Sequence, residues 1–345
     1  MQFLITVLQS FFTAAFFRAA VMQGIPLLYG AVGEILTEKS GNLNLGIAGI
    51  MYMGAIGGLV GSFLYESSAA SPVPFVAMVI AILCALLLAT LGGLIYAVLT
   101  ITFRANQNVT GLALTTFGVG LGNFLGGSIM KLTGKTGQIT VYLTGKAFKS
   151  TFAFASSEAV TSSPFLNTIC TMFFSYGFLT YFALAVAVAA GYFLARTRAG
   201  LNLRAVGESP ATADANNINV SRYKYISICI GAAIAGLGGL YFVMEYMGGT
   251  WQNDAFGDRG WLAIALVIFT IWRPNVSILA SILFGGLYIL NIYLPTPGGQ
   301  MAIKELYKML PYIITLVVLI VVSLRKKRED QPPASLGLSY FREER

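Results

Sequence analysis

Nine mostly apolar segments recur along the chain, separated by polar connections. A membrane-spanning helix needs about 17–25 such residues, and most of the segments are that long. The candidate spans are 11–33, 43–63, 75–103, 108–130, 172–196, 222–247, 258–272, 276–293 and 306–324. The apolar runs do not alternate with polar residues, which excludes a β-barrel. The pattern therefore predicts an all-α polytopic membrane protein with about eight or nine transmembrane helices, some of them broken or re-entrant.

Composition agrees with this class. The 345 residues have a mean hydropathy of +0.74, and only 10% of them are charged, against about 25% in soluble domains. The net charge of +8 comes from basic residues between the spans, so it indicates membrane topology and not nucleic-acid binding. The chain has no histidine, the commonest general base and metal ligand, and we expect no catalytic residue, metal site or cofactor on this chain.

Charge at the end of the last span predicts the topology. The cluster 325–328, Arg-Lys-Lys-Arg, places the C-terminus in the cytoplasm by the positive-inside rule. Counting back four spans places the loop 197–221 there too, and the segment 131–171 on the other side. We therefore expect a permease domain over residues 1–325 and a cytoplasmic tail, 326–345, whose residues 329–345 are extended or disordered.

The segment 131–171 is rich in Thr, Ser and Gly. It predicts a small extracytoplasmic cap of short helices or turns. Two interpretations stay open for it, a landing surface for an external partner or a solvated loop.

The loop 197–221 contains the clearest local signals for a short helix. Ser209 suits an N-cap, and Pro210 suits the first helical position, where no N–H is needed. Asn217 suits the left-handed residue that closes a helix. These signals leave a helix of about two turns, which is too short to be stable alone, so it needs a surface on which to dock. It is either a docking element for a motor subunit or an ordinary connection.

No motor is encoded in the chain itself. Gly134-Lys135-Thr136 ends like a phosphate-binding P-loop, but Ile129 stands where the first glycine is required. ATP hydrolysis is therefore expected on a separate subunit, together with its ATP and magnesium. Among the acidic residues, only Glu34 and Glu245 fall within the apolar zone, where burying a carboxylate is costly.

Uncharged polar residues are the candidates for a solute path. They suit a neutral, hydrogen-bonding solute, or alternatively hydrogen bonds between helices. The candidates are Asn42, Asn44, Asn106, Asn108, Thr115 and Thr116, with Phe117 as an aromatic surface. Trp251 and Trp261 are expected at the membrane interface. Small residues recur every four positions, at Gly118, Gly122 and Gly126 and at Gly231, Ala235 and Gly239, and predict close helix packing.

Several motifs together resemble one family. They are SGNLNLGIAGIMYMGA (40–55), NQNVTGLALTTFGVGLGNFLG (106–126), GLNLRAVGESPATADANNINV (200–220), GDRGWLAIALVIFTIWRP (257–274) and PPASLGLSYFREER (332–345). In order and spacing they resemble an ABC importer permease of the branched-chain amino acid, ribose and nucleoside group, in particular the shorter permease of bacterial nucleoside uptake systems.

The resemblance implies a bacterial inner-membrane subunit that works by alternating access. Its implied partners are a second permease chain, identical or different, a cytoplasmic ABC ATPase, an extracytoplasmic solute-binding lipoprotein and membrane lipid, with no nucleic acid. The implied coupling residues are Gly207, Glu208, Pro210, Ala213, Asp214, Asn217 and Ile218.

Two departures from the family stand out. Many relatives have glycine in place of Asn217, and glutamate in place of Ala48. Three alternatives to a motor-driven nucleoside permease stay open. They are a permease of the same family for riboflavin or a simple sugar, a secondary transporter or channel that works without a motor, and an anchoring subunit without a transport path.

Overall fold

The described part of the chain is almost entirely helical. The computed structural model describes residues 13–132, 138–151, 163–293, 301–325 and 331–341. The helices are α1 (Ala14–Glu38), α2 (Ile47–Ser68), α3 (Pro74–Ala97), α4 (Gln107–Leu132), α5 (Tyr142–Phe148), α6 (Pro164–Phe173), α7 (Phe178–Arg196), α8 (Arg198–Glu208), α9 (Pro210–Ala215), α10 (Val220–Tyr241), α11 (Arg259–Phe269), α12 (Pro274–Tyr293) and α13 (Met301–Arg325). A π-helical turn extends α3 to Thr102 and α10 to Tyr246.

Six of these helices are long and apolar enough to cross a membrane: α1, α2, α3, α4, α7 and α10. Two shorter apolar helices, α11 and α12, accompany them. The predicted all-α polytopic class is confirmed. The 11 residues of α11 span only about 16 Å at 1.5 Å per residue, about half of a bilayer core, so the predicted span 258–272 is a short helix and not a full crossing.

Helix α1 lies at the centre of the bundle. It packs against α10, α11 and α12, and nearly all of its residues from Ala20 to Glu38 are buried. The predicted rows of small residues allow the helices around α1 to approach one another closely. A Cβ on Gly118 of α4 would meet the backbone of Gly49 on α2, and a Cβ on Gly239 of α10 would meet the carbonyl of Met51. Close packing through small residues is therefore confirmed.

The two ends of the bundle differ. At one end, the connection between α1 and α2 contacts residues 331–341 of the tail, and we call this the tail end. At the other, Glu66 near the end of α2 accepts hydrogen bonds from the N–H and the hydroxyl of Thr144 in α5, at 2.8 and 2.5 Å. The described part of 131–171 contains the expected short helices, α5 and the start of α6, and its extracytoplasmic position stays a prediction. Residues 133–137, with the P-loop-like Gly134–Thr136, and 152–162 lie outside the described residues.

Two expectations are wrong. Of the two alternatives for the tail, extended or disordered, the disordered one is wrong for residues 331–341, because their backbone groups find partners on the bundle: the Ser335 N–H donates to the Gly207 carbonyl at 3.0 Å. Trp251 is not an interfacial anchor. It is 5% exposed and packs edge-on against Tyr52, with ring centroids 5.7 Å apart. Tertiary contacts override the local signal in both cases.

Candidate coupling surface and solute path

The coupling segment 207–218 that the resemblance implies covers the end of α8 and all of α9, and these two helices meet at Ser209. Residues Gly207 and Glu208 end α8, and Pro210 begins α9. Ser209 has an extended backbone, with φ −150° and ψ 91°. A proline disfavours the helical conformation in the residue before it, which explains the break. The predicted helix of about two turns that begins at Pro210 is therefore confirmed as α9, Pro210–Ala215.

The predicted caps of α9 are confirmed. The Ser209 hydroxyl accepts a hydrogen bond from the Thr212 N–H at 3.4 Å, and Pro210 occupies the first turn. Asn217 is left-handed, with φ 63°. The Ile218 N–H then donates to the Ala213 carbonyl at 3.0 Å, which closes the helix.

The seven candidate coupling residues divide into inward and outward positions. Gly207 and Ala213 are buried inside the chain, and Ala213 packs with Val206 and Val220. A Cβ on Gly207 would meet the Lys39 carbonyl. The outward positions are Glu208 and Asn217, which are exposed, and Pro210, Asp214 and Ile218, which are half-buried. The inward residues fasten the element to the bundle, and the outward residues form the surface that a partner can reach.

Sequence reasoning missed the contact between this element and the tail. The N–H and hydroxyl of Ser335 both donate to the Gly207 carbonyl, at 3.0 and 2.6 Å. The Tyr340 hydroxyl donates to the Asp214 carboxylate at 2.9 Å. The serine and the tyrosine in the otherwise small and apolar stretch 334–340 were the available signal. The tail therefore ties the end of α8 to α9.

The same tail contacts the α1–α2 connection and the start of α4. The Gly337 N–H donates to the Gly41 carbonyl at 3.2 Å. The Gln107 amide donates to the Leu338 carbonyl at 3.4 Å, and the Arg104 guanidinium lies 4.6 Å from the centre of the Phe341 ring. Residues 331–341 thus join α8 and α9 to two elements that enter the bundle.

Lys39 lies beside this junction, just after α1. Burial lowers the pKa of its ammonium group, because removal from water disfavours the charged form. The nearby Glu208 carboxylate opposes this shift.

The connection between α1 and α2 is irregular and largely buried, which fits the prediction of broken segments. Glu34 is fully buried, and its Oε1 accepts the Asn44 N–H at 3.0 Å. Its Oε2 has no hydrogen-bond partner among the described residues. The Asn44 amide oxygen accepts the Gly46 N–H at 2.9 Å, and the Asn42 amide donates to the Ser40 hydroxyl at 2.7 Å. Glu34, Asn42 and Asn44 therefore hold the connection in place.

The candidate path residues of α4 separate into two groups. The Thr115 hydroxyl donates to the Leu45 carbonyl at 2.8 Å, and so links α4 to the α1–α2 connection. Asn106 is an N-cap, since its oxygen accepts the Val109 N–H at 3.1 Å. Asn108, Thr116 and Phe117 lie exposed on the outer side of α4. The seven candidates do not converge on one cavity within the chain.

The outer face of α4 differs in chemistry from that of α3. The exposed positions of α4 mix polar, small and aromatic residues with the aliphatic Val109 and Leu112, and a Cβ on Gly120 or Gly127 would meet open space. The exposed large residues of α3 are all apolar, among them Leu83, Leu87 and Leu91. Lipid tails suit the face of α3, whereas hydroxyl, amide and glycine groups suit a protein or solute neighbour.

Two buried charged residues stabilise the packing. Glu245 accepts the Leu179 N–H at 2.8 Å and the Thr180 hydroxyl at 3.3 Å, so it caps α7. Sequence reasoning missed Arg259, whose basic side chain within the apolar run 257–274 was the available signal. Its guanidinium donates twice to the Gln23 oxygen, at 3.1 and 2.9 Å, and lies 4.5 Å from the Phe242 ring centre. It fixes the start of α11 to α1.

Ala48 is buried against Gly260 at the start of α11. Helix packing occupies the position where the family resemblance expects a glutamate. Position 48 therefore offers a solute no polar side chain in this chain.

Comparison with known proteins gives a consistent family. The model for the branched-chain amino acid transport system permease component matches residues 17–319. A putative glucose ABC transporter permease protein, TsgC13, of Haloferax volcanii is 31% identical over 81% of this chain and 78% of its own length. A nucleoside ABC transporter permease protein, NupC, of Lactococcus lactis is 30% identical, covering 85% and 87%. A guanosine ABC transporter permease protein, NupQ, of Bacillus subtilis is 29% identical, covering 95% and 96%. With its apolar helices and a match over most of its length, the chain belongs to the family of branched-chain amino acid type permease components and is a multi-pass membrane permease subunit of an ABC transporter.

Proposed function

We propose that this permease takes up nucleosides across the bacterial cytoplasmic membrane, paired with a second permease chain and driven by separate ATPase subunits. Two of its relatives are named for nucleoside and guanosine transport, and they cover more of this chain than the relative named for glucose. The uncharged polar groups of α4 suit a neutral solute that forms hydrogen bonds.

The outer face of α4 is the observation that carries the proposal. Asn108, Thr116 and Phe117 lie exposed there beside the open space at Gly120. An amide, a hydroxyl and an aromatic ring can bind the hydroxyls and the base of a nucleoside. The Thr116 hydroxyl donates to the Leu112 carbonyl at 3.2 Å, but lipid contact would leave the Asn108 amide without a partner. The solute path then runs along α4, between this chain and the second permease.

Coupling to the motor follows from the tail-end junction. An ATPase that docks on the outward residues of α8 and α9 pushes on an element whose inward residues are fastened to the bundle. The tail links that element to Gly41 and Gln107, at the α1–α2 connection and the start of α4. Movement of the docked element is thereby transmitted to the helix that lines the proposed path, as alternating access requires.

The test is ATP-driven uptake in proteoliposomes that contain the permease pair, the ATPase and the external binding protein. The solutes are nucleosides, riboflavin, pentoses and glucose. We expect nucleosides to accumulate and to outcompete the others. Accumulation of riboflavin or a sugar in preference to nucleosides would contradict the proposed substrate. Uptake that follows an ion gradient and ignores ATP would contradict a motor-driven importer.

A matched pair of variants tests the path. Thr116→Trp fills the outer face of α4, whereas Leu87→Trp changes a position on α3 that is also exposed, with 65% of the side chain accessible. We expect the first variant to insert normally and lose uptake, and the second to keep it. If both variants take up solute equally well, α4 does not line the solute path.

A further inference from the structure

A polar cavity of about 390 Å³ lies at the tail end of the bundle, on one side of α9. Its walls come from the end of α3, the start of α4, the start of α10 and the tail. The residues used below are Thr100, Arg104, Asp214, Ser221, Lys224 and Tyr340. The volume falls within the range of about 300–1,000 Å³ that is typical of small-molecule sites.

Lys224 is the most unusual group in this cavity. Its side chain is only 3% exposed, and it lines the cavity one turn into α10. Within the described ranges, no hydrogen bond or ion pair to its ammonium group is found. A buried charge without a partner is costly, so such groups are normally paired. The cavity is the space in which a counter-charge can reach Lys224.

The start of α10 adds a second attraction for an anion. Val220 and Ser221 line the cavity, and the 22-residue helix that begins there has its positive dipole end at this point. Among the described residues, the Asn219 side chain caps one N–H of this turn, that of Arg222, at 2.9 Å. Free N–H groups at the first turn of a helix, with a lysine one turn further, form an arrangement that suits phosphate oxygens.

Charge on the remaining lining residues favours an anion as well. Arg104 belongs to the connection between α3 and α4, where its backbone is left-handed with φ 57°. Asp214 also lines the cavity, and its carboxylate accepts the Tyr340 hydroxyl at 2.9 Å. Two cationic side chains and one carboxylate leave a positive excess, to which the helix end adds. The Thr100 and Ser221 hydroxyls can donate to additional phosphate oxygens.

We propose that this cavity binds a phosphate group, with Lys224 and the N-terminus of α10 as its principal contacts and Arg104 as a further cationic lining residue. The group belongs either to a small soluble phosphate ester or to the headgroup of an anionic phospholipid. The site is separate in kind from the neutral solute path of α4, and it does not depend on which solute the permease carries.

The test uses the purified full-length chain in nanodiscs of neutral phosphatidylcholine. Inorganic phosphate and adenosine monophosphate are titrated by calorimetry, with uncharged adenosine as the control for solute binding. We expect the two phosphates to bind and Lys224→Met to weaken them by about 10-fold or more, because a hydrogen bond to a charged group is lost. Arg222→Met is the matched control, since Arg222 is exposed on the same helix and does not line the cavity. Its affinity should stay within about twofold of the unsubstituted chain.

A second set of nanodiscs, containing phosphatidylglycerol, distinguishes the two sources of phosphate. If the site takes a lipid headgroup, phosphatidylglycerol should be retained by the unsubstituted chain and by Arg222→Met but not by Lys224→Met, as native mass spectrometry would detect. Arg104→Met should weaken the binding of either ligand, and it replaces Lys224→Met as the test variant if the latter does not insert. The proposal is overturned if neither phosphate nor phosphatidylglycerol binds, or if the Lys224 and Arg222 variants lose binding equally. Binding of adenosine as tight as that of its monophosphate would also overturn it, while leaving the proposed nucleoside path intact.

Discussion

The left-handed backbone at Asn217 gives a quantitative prediction about the coupling element. Asn217 has φ 63° and an exposed side chain, and its own N–H donates to the Asp214 carbonyl at 3.0 Å. The left-handed conformation costs an ordinary residue roughly 1–2 kcal/mol, and asparagine and glycine tolerate it best. Asn217→Val should therefore destabilise the end of α9 by about that amount, whereas Asn217→Gly should leave it intact.

The magnitude can be measured by hydrogen exchange. A cost of 1–2 kcal/mol corresponds to roughly a 5- to 30-fold increase in the opening of the closing turn. The amide of Ile218, which bonds the Ala213 carbonyl, should exchange faster by that factor in Asn217→Val. The reduced order of α9 should also lower uptake per ATP hydrolysed in the assembled transporter, because the docked element transmits force less effectively.

The neighbouring position supplies the control. Asn216 is also exposed, but its φ of −89° suits any residue. Asn216→Val loses only a side-chain hydrogen bond to the Thr212 carbonyl, so its effect should be within about 0.5 kcal/mol. If the valine and glycine variants of Asn217 exchange at the same rate, backbone strain does not govern this turn and the reasoning fails.

Three further predictions concern packing, the α1–α2 connection and the docking surface. Gly118→Leu collides with the Gly49 backbone and should prevent folding. Gly120→Leu points into open space and should give a monodisperse protein with reduced uptake. Size-exclusion chromatography would distinguish the two variants, and similar elution profiles would contradict the helix packing. Glu34→Leu removes the acceptor of a buried N–H and should cost about 1–3 kcal/mol, while Glu34→Gln keeps it; equal melting temperatures would refute this role. Glu208→Lys should insert normally but uncouple ATP hydrolysis from uptake. The control Ala70→Lys places a lysine at the opposite end of the bundle and should leave hydrolysis and uptake coupled. Normal coupling in the Glu208 variant would show that the ATPase docks elsewhere.

The sequence alone determined the class of protein and its local caps. Apolar runs long enough for a bilayer leave the backbone no alternative to helices in lipid, so the class follows from composition and length. The start of α9 at Ser209 and Pro210 and the left-handed Asn217 were readable because each depends on neighbours within four residues. Close packing at Gly118 was readable from its four-residue spacing.

Only the tertiary structure decided which polar residues face inward and which face outward. Asn44 and Thr116 carry the same kind of signal in the sequence, but one holds the buried α1–α2 connection and the other lies on the outer face of α4. The tail was expected to be extended or disordered, because nothing local could reveal that Ser335 bonds Gly207, 128 residues away. Likewise, Arg104 and Lys224 line one cavity only because α3 and α10 pack side by side. Contacts between residues far apart in the chain depend on how whole helices pack, and no periodicity in the sequence encodes them.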